Sequence, residues 1–276
     1  QWMLWILLCA TFLTAAPAMA HDAKVLPANL KMKTKKKSGW FPALKAAFNF
    51  SFAQSDGVVG VPDGTTLNFG LQLDGDLVYS NGPHEWRNSL DIVHTQTKTP
   101  SLKPFIKAAD QLSLASIYTY TLPSIKWLGL FGQAKLDTPL LSGYLVRDAE
   151  TTVVLKRLDG TSSEKQVQKD VPFLLTPSFS PLQLKGSVGA SASPLKKEAV
   201  NFAAKGGFGV IQTLTQATGE VGFIVNDDDS TADKLELTQL QDFLQVIGEI
   251  ELELNGNLFD KLLAYTLKVI TAVPFV

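Results

Sequence analysis

Cysteine and histidine are scarce in this chain. Of its 276 residues, one is cysteine and three are histidine. Cys9 lies in an apolar N-terminal stretch that we predict to be removed, so the exported chain would hold no disulfide bond and no reactive thiolate. The preceding residues, Ile6-Leu7-Leu8, are larger than those of a lipoprotein cleavage box, which argues against lipidation. No spacing of histidine or cysteine is typical of a metal site.

Excess charge of one sign and long apolar runs are also lacking. The formal net charge of −1 argues against a nucleic-acid-binding protein. Beyond the N-terminal stretch, no segment approaches the ~20 apolar residues of a transmembrane helix. In a membrane the exported chain would have to be a closed barrel, because open sheet edges cannot satisfy their hydrogen bonds in lipid. The roughly 255 residues that remain are compatible with one domain.

Residues 1–20 are predicted to be a signal peptide. Their apolar stretch gives way to small residues and Ala18-Met19-Ala20, a typical cleavage site. A membrane-anchoring helix is the alternative, but the stretch is shorter than the ~20 residues needed to span. Because the chain starts with glutamine and has no basic n-region, we expect its natural start to be missing. Residues 21–39, with five lysines between Lys31 and Lys37, are predicted to be a flexible lead-in, and contact with lipid headgroups or a partner is the alternative.

Apolar and polar residues alternate over long segments. Between Leu67 and Tyr79, odd positions carry mainly large apolar side chains and even positions mainly amides and carboxylates. Because successive side chains of a strand point to opposite faces, this segment predicts a strand with one apolar and one polar face. It is about twice as long as an average strand of ~5–6 residues. Similar alternation occurs over residues 40–54, 86–97, 111–122, 126–137, 182–190, 200–210, 244–254 and 263–273.

These segments predict an all-β fold over residues 40–276. The expected architecture is an antiparallel up-and-down transmembrane β-barrel of about ten strands, within a range of roughly eight to twelve. A secreted soluble β-sandwich is the alternative, since its strands also alternate, but they are shorter. Phe48, Phe50 and Phe52, opposite a face of small polar residues, suit a barrel with lipid outside better than a sandwich core.

Turn-forming residues separate the predicted strands. Asn81-Gly82 is a strong hairpin signal, and we expect Asn255-Gly256-Asn257 to turn the chain in the same way. Residues 138–177 break the pattern and are predicted to be a long loop excursion with one polar hairpin around Asp159-Gly160-Thr161. The last strand stops at Val276, so we expect the natural C-terminus to lie beyond it.

A barrel gives two sets of residues expected roles. Charges on the polar parity should face the lumen, where they either pair or, in a wider barrel, line a path that favours cations. These are Asp74, Asp76, Lys135, Lys185, Lys205, Glu249, Glu251, Glu253 and Lys268. Aromatic residues near strand ends should form a girdle at the membrane interface. These are Trp40, Tyr79, Trp86, Tyr120 and Trp127.

Candidate chemistry is sparse. A lipid-modifying enzyme would need a serine activated by a histidine, and His94 with Ser89 or Ser113 is the available combination. His94 shares the parity of Leu90 and Ile92, however, so we expect it to face away from the lumen. The acidic segment Asp227–Asp233 has oxygen ligands for Ca²⁺ but not the ligand spacing or the glycine of an EF-hand, so a solvated loop is the preferred interpretation.

Three short motifs resemble a known family. They are Gly39-Trp40, the segment Trp86–Asp91, and Lys107–Leu112 leading to Tyr118-Thr119-Tyr120. Together they resemble an uncharacterised family of Gram-negative outer-membrane proteins, a domain of unknown function, over most of the exported chain. The resemblance implies an outer-membrane β-barrel and supplies no activity and no catalytic residues.

The sequence therefore predicts an exported protein of the Gram-negative outer membrane. Its expected function is a barrel scaffold, either structural or permitting limited passage of small solutes through a charged lumen. We expect no catalytic site, no metal and no cofactor, and we expect outer-membrane lipids and small solutes as partners. An adhesion or interaction module acting through the 138–177 excursion, a secreted binding protein and a lipid-modifying enzyme are the alternatives.

Overall fold

A computed structural model describes residues 38–60, 62–197, 199–215, 221–226, 234–258 and 263–275. All of them belong to one compact unit, Thr34–Val276. The predicted signal peptide, most of the lysine-rich lead-in and the acidic segment Asp227–Asp233 lie outside the described residues. Within the described ranges, no helix has the length and apolar character needed to cross a membrane.

The described residues form fifteen strands and no helix. The strands are β1 (Gly39–Ser55), β2 (Gly64–Asn81), β3 (His84–Lys98), β4 (Ile106–Thr121), β5 (Leu128–Thr138), β6 (Gly143–Leu145), β7 (Thr151–Lys156), β8 (Ser162–Val167), β9 (Phe173–Thr176), β10 (Leu182–Lys196), β11 (Asn201–Leu214), β12 (Phe223–Asn226), β13 (Lys234–Gln239), β14 (Phe243–Leu258) and β15 (Leu263–Phe275). Nine of them make one antiparallel sheet in the order β1-β2-β3-β4-β5-β10-β11-β14-β15. The predicted all-β fold with a large antiparallel sheet is confirmed.

The alternation in sequence becomes two different faces of this sheet. Directly paired residues of neighbouring strands share a face, and the pairing is regular across the nine strands except for register shifts after Thr95 and after Ala192. We call the face that carries Asp74, Lys135 and Glu249 the polar face, and the face that carries Leu130, Val188 and Ile250 the apolar face.

The polar face is buried in the middle of the sheet, on β4, β5, β10, β11 and β14, and is largely exposed on the edge strands β1 and β15. Its residues that are at most 9% exposed are Ser113, Ala115, Thr119, Phe131, Gln133, Lys135, Ser187, Ser191, Ala203, Lys205, Thr213, Ile247, Glu251 and Glu253. On the apolar face, large side chains are 38–66% exposed, namely Leu114, Tyr118, Leu130, Leu184, Val188, Phe208, Val210, Leu244, Val246, Ile250 and Leu252. A soluble protein normally has the opposite arrangement.

The two ends of the sheet differ in their connections. One end, here the short-turn end, holds the start of β1, the connections 82–83, 122–127 and 197–200, the end of β14 and the start of β15. The other end, the long-connection end, holds 56–63, 99–105, 139–181 and 215–242. The strands are also strongly staggered: a row of paired residues that begins at Phe41, near the start of β1, ends at Pro274, near the end of β15.

The two longest connections combine into a small second sheet. Its strand order is β12-β13-β7-β8, with β13 parallel to β7. Its apolar core consists of Val153, Val167, Leu235 and Leu237. The β6–β9 ribbon contributes Leu145, Phe173 and Leu175 to the same core. We call the six strands β6, β7, β8, β9, β12 and β13 the excursion module.

Two local expectations need correction. Residues 138–177 contain the expected hairpin, β7–β8, but it is part of a packed sheet because a parallel partner strand arrives from far along the chain. Asn255-Gly256-Asn257 is not a turn, since all three residues lie inside β14 and pair with Thr266, Tyr265 and Ala264 of β15. A side chain at Gly256 would collide with the backbone of Ala199, so close approach explains this glycine.

The core of the excursion module gives a direct stability prediction. Leu237 is fully buried, and Leu237→Ala should lower the free energy of opening of the small sheet by about 2–5 kcal/mol because it leaves a cavity. Hydrogen exchange should show faster exchange in β7 and β13 and unchanged exchange in β14. Leu158→Ala, at a residue that is 52% exposed, is the matched control. Equal loss of protection in β14 would mean that the module is not a separate folding unit.

Candidate functional site: the polar face

The nine charges predicted to face a lumen share the polar face. Across the rows, Asp76 is linked through Ser89 and Ala115 to Lys135 and then to Lys185. Glu251 lies opposite Lys205, and Glu253 lies opposite Lys268. The structure brings six of the nine together on β10, β11, β14 and β15, and places Lys135 on the neighbouring β5.

Ion pairs join the charges in this half of the sheet. Lys185 pairs with Glu249 across the intervening strand β11, where Gly207 and Gly209 leave no side chain between them. Lys268 Nζ lies 2.9 Å from Glu251 Oε1. Both carboxylates are largely buried, with side chains 11% exposed. Pairing is what permits charges to occupy such a site, because an isolated buried charge is costly.

Lys205 is held in a different way. Its Nζ donates to Gln133 Oε1 over 2.5 Å and sits 4.4 Å from the centre of the Phe131 ring. The residue is 9% exposed, so both the amide and the ring replace water around the ammonium group. Sequence alternation identified Lys205 but not its neighbours, because Gln133 and Phe131 lie two strands away.

The remaining predicted charges lie apart from this network. Lys135 Nζ is 2.7 Å from Asp137 Oδ2, and Ser113 Oγ donates to Asp137 Oδ1 over 2.5 Å. Asp74 accepts two hydrogen bonds from Gln72 Nε2, at 3.0 and 3.1 Å, and is half-buried. Asp76 is exposed. Asp137, which the sequence analysis did not select, therefore forms a second cluster on the polar face with Lys135 and Ser113.

Glu253 completes the network at its end. Asn255 Nδ2 donates to Glu253 Oε1 over 2.5 Å and Asn201 Nδ2 donates to Asn255 Oδ1 over 3.1 Å. These asparagines form a polar row with the same parity as Glu253. The sequence did not predict these hydrogen bonds, because Asn255-Gly256 is a pattern typical of a turn.

The predicted aromatic residues all lie at the short-turn end of the sheet. The Trp40 ring is 4.9 Å from Tyr79 and 6.0 Å from Trp86, and the Tyr120 ring is 5.1 Å from His84. Trp127 lies in the turn before β5 without a ring contact among the described residues, and its carbonyl accepts the Ser193 N–H. The structure adds three residues to this row. These are His84 and Tyr118, which share a 2.5 Å hydrogen bond, and Tyr265, whose hydroxyl donates to Ala199 O.

His94 belongs to a separate cluster on the apolar face. His94 Nδ1 lies 3.3 Å from Asp110 Oδ1, and Lys107 Nζ lies 3.0 Å from Asp110 Oδ2. The Leu141 N–H also donates to Asp110, over 2.7 Å, and the Asp110 side chain is only 1% exposed. A register shift after Thr95 turns Lys107 to the same face as Asp110. The cluster therefore anchors the start of the first excursion to the sheet.

The hypothetical serine–histidine combinations are not formed. Ser89 and Ser113 lie on the polar face, opposite His94, because their register positions match Asp76 and Asp137. His94 Nε2 lies 3.1 Å from the side-chain amide of Gln96. Neither serine can donate its proton to His94 in this arrangement. Across the described residues, no cluster of three or more histidine, cysteine or acidic side chains is arranged to hold a metal ion, and the acidic segment Asp227–Asp233, which we expect to be a solvated loop, lies outside them.

One hydrogen-bonded carboxylate gives a pH prediction. The Thr215 hydroxyl and backbone N–H each donate to Asp242 over 2.6 Å and hold the pKa of that carboxyl below its ordinary value. The contact joins both ends of the second excursion. Its contribution to stability is present above the unfolded pKa, near about 3.9, and is lost as pH falls through the lower folded pKa.

Asp242→Asn should therefore lower the midpoint of thermal unfolding at pH 7, and should lower it less at pH 2, where protonation of the unfolded carboxyl has reduced the stabilisation. Asp56→Asn, at the same end of the sheet, controls for loss of a carboxylate. A difference of equal size at both pH values would show that the charge on Asp242 does not matter.

Comparison with known proteins gives a match to part of this sheet. A family model described as "Protein of unknown function (DUF3078)" matches residues 62–144, from just before β2 into β6. The match includes the Trp86–Asp91 and Lys107–Tyr120 motifs and covers less of the chain than the resemblance led us to expect. No curated protein and no solved structure matches the chain. The chain thus contains a region similar to an uncharacterised domain.

Proposed function

We propose that this protein is a β-barrel of the Gram-negative outer membrane, exported by its signal peptide and stabilised by a salt-bridged interior. The observation that carries the proposal is the inverted burial of the nine-stranded sheet. Large apolar side chains such as Ile250 and Phe208 are more than half exposed, while Lys205, Glu251 and Glu253 are buried. Lipid outside and a polar interior make both placements favourable.

The stagger of the strands supports the same proposal. Measured from the start of β1 and of β15, the row of paired residues from Phe41 to Pro274 shifts by roughly nine residues over eight strand steps. At ~3.3 Å per residue and ~4.8 Å per strand, this shift inclines the strands by about 38° to a common axis. Closed barrels require a tilt of about 35–45°. The aromatic row at the short-turn end and the long connections at the other end also match the asymmetry of such barrels.

Closure has a specific requirement. With nine antiparallel strands, the edges β1 and β15 run in the same direction. One further strand, antiparallel to both edges, would close the sheet and give the ten strands expected from the sequence. The soluble sandwich is less favoured, because the apolar face of the sheet has no second sheet packed on it within the described residues.

The interior favours a structural role over a conducting one. Lys185, Lys268 and Lys135 are paired with carboxylates across β5 to β15, so these side chains fill the interior instead of lining an open path. Planar-bilayer recordings should therefore show little conductance. If a cation current is present, Glu249→Gln and Glu251→Gln should leave its selectivity nearly unchanged, whereas Asp76→Asn, at an exposed carboxylate, should lower it.

The test of membrane insertion is a gel experiment. The protein should be expressed with its leader, and the outer-membrane fraction should be run with and without boiling. We expect a heat-dependent change in mobility, which is typical of a folded barrel. A soluble periplasmic product with no change in mobility would contradict the proposal and favour the secreted sandwich.

The excursion module supports a second candidate function, adhesion or interaction at the surface. Tyr144 and Leu174 lie opposite one another in the β6–β9 ribbon and are 54% and 39% exposed. Ile224 on β12 is 40% exposed. These side chains lie away from the module core and could contact a partner. Removal of residues 143–176 should abolish binding to cells or matrix while leaving the heat-dependent gel shift intact. If the shortened protein still bound, this role of the module would be excluded.

A further inference from the structure

The apolar face contains a groove of about 750 Å³. It crosses β4, β5, β10 and β11, near the middle of the sheet. Gly132, Ala134 and Gly186 form its floor, and Tyr118 and Phe208 rise on either side. The two wall residues are 46% and 66% exposed, so the groove is a depression between protruding rings.

The glycines of the floor are not explained by the backbone. A glycine inside a strand usually marks a bulge, a sharp bend or the close approach of another chain. The pairing of Gly132 and Gly186 has no register shift, and neither has a positive φ. A Cβ atom at either position would meet nothing within 4 Å. Leucine or valine would fit at both positions, so what these glycines provide is empty space.

The lining of the groove selects an apolar occupant. Val188, Val210 and Val246 complete its surface, and Gln133 and Ser187 border it while their side chains belong to the polar face. The Ser116 hydroxyl at its margin already accepts a 2.8 Å hydrogen bond from Trp86 Nε1. No unpaired polar group on the apolar face of the groove is thus offered to a polar ligand.

We propose that this groove binds one acyl chain of a membrane lipid and retains it longer than the lipids that cover the rest of the apolar face. The proposal rests on the proposed function, because the groove is continuous with the exposed side chains that a membrane would cover. A flexible, unbranched chain fits a depression that is flanked by rings, and close packing against those rings adds dispersion contacts that a chain on the flatter parts of the face lacks.

The test uses the full-length protein in vesicles of phosphatidylethanolamine and phosphatidylglycerol that contain a phosphatidylcholine with a photoreactive diazirine in its acyl chain. After irradiation, mass spectrometry should find label enriched at the strands around Gly132 and Gly186, relative to the even-numbered residues of 44–52 on β1, which lie on the same face. Gly132→Leu combined with Gly186→Leu should fill the depression and lower the groove label to the level found on β1.

Gly75→Leu is the matched control, since Gly75 lies on the apolar face outside the groove and a Cβ there makes ordinary contacts of 3.6 Å or more. It should leave the groove label unchanged. Uniform label along the face, or groove label that survives both leucines, would overturn the proposal, and so would protection of the groove by a second copy cross-linked across it. In all three cases the heat-dependent gel shift would remain, whereas failure of the membrane proposal itself would abolish that shift.

Discussion

Ile250→Arg should destabilise the folded protein in lipid vesicles by about 2–4 kcal/mol, the cost of a guanidinium near the middle of a lipid-facing strand. Ile250 lies at the centre of β14 and is 57% exposed. In a soluble protein, arginine at so exposed a position would change stability by no more than about 0.5 kcal/mol. The size of the effect therefore reports what surrounds the apolar face.

Equilibrium unfolding in urea from vesicles measures this effect. Val171→Arg is the control, because Val171 is 47% exposed but lies in the connection between β8 and β9, outside the sheet that we place in the membrane. It should cost less than about 0.5 kcal/mol. Equal and small effects of the two substitutions would argue that water, not lipid, covers the apolar face.

Lys185→Met should cost about 3 kcal/mol, because it leaves the Glu249 carboxylate buried without its partner. The estimate lies at the lower end of the range for buried pairs, since the two side chains retain 21% and 11% exposure. The double variant Lys185→Met, Glu249→Leu should recover most of this loss, because two apolar groups of similar size need no partner.

A surface ion pair provides the comparison for this experiment. Lys234 pairs with Glu164 at 3.4 Å, and the two side chains are 48% and 64% exposed, so Lys234→Met should cost less than about 1 kcal/mol. If Lys185→Met cost as little, the polar face would be hydrated enough to solvate Glu249. Water, and not ion pairs, would then stabilise the charges of the interior.

The sequence predicted the sheet well where alternation was long. The parity of Leu67–Tyr79 and of residues 244–254 assigned Asp74, Glu249 and Glu251 to one face, and the register places them there. Period-two alternation is sufficient for this because a residue's face depends only on its own strand. The partners of Lys205 depend on the order of strands in the sheet, because they lie two strands away, and the local sequence pattern does not predict that order.

The errors have physical causes of the same kind. The excursion module depends on parallel pairing of β7 with β13, a contact between segments about eighty residues apart, for which local sequence carries no signal. Asn255-Gly256 was mistaken for a turn because close approach of a neighbouring backbone and a tight turn both require glycine.

Labelling of single cysteines along β10 tests the central claim most directly. In a Cys9→Ser background, cysteines at Val188 and Ala190 should be quenched by a lipid-soluble agent after attachment of a fluorophore, and cysteines at Ser187 and Ser191 should not. A period of two with the apolar parity in lipid is the result that we predict. Equal access of a water-soluble reagent to both parities, or quenching of the serine positions alone, would contradict the membrane orientation of the sheet.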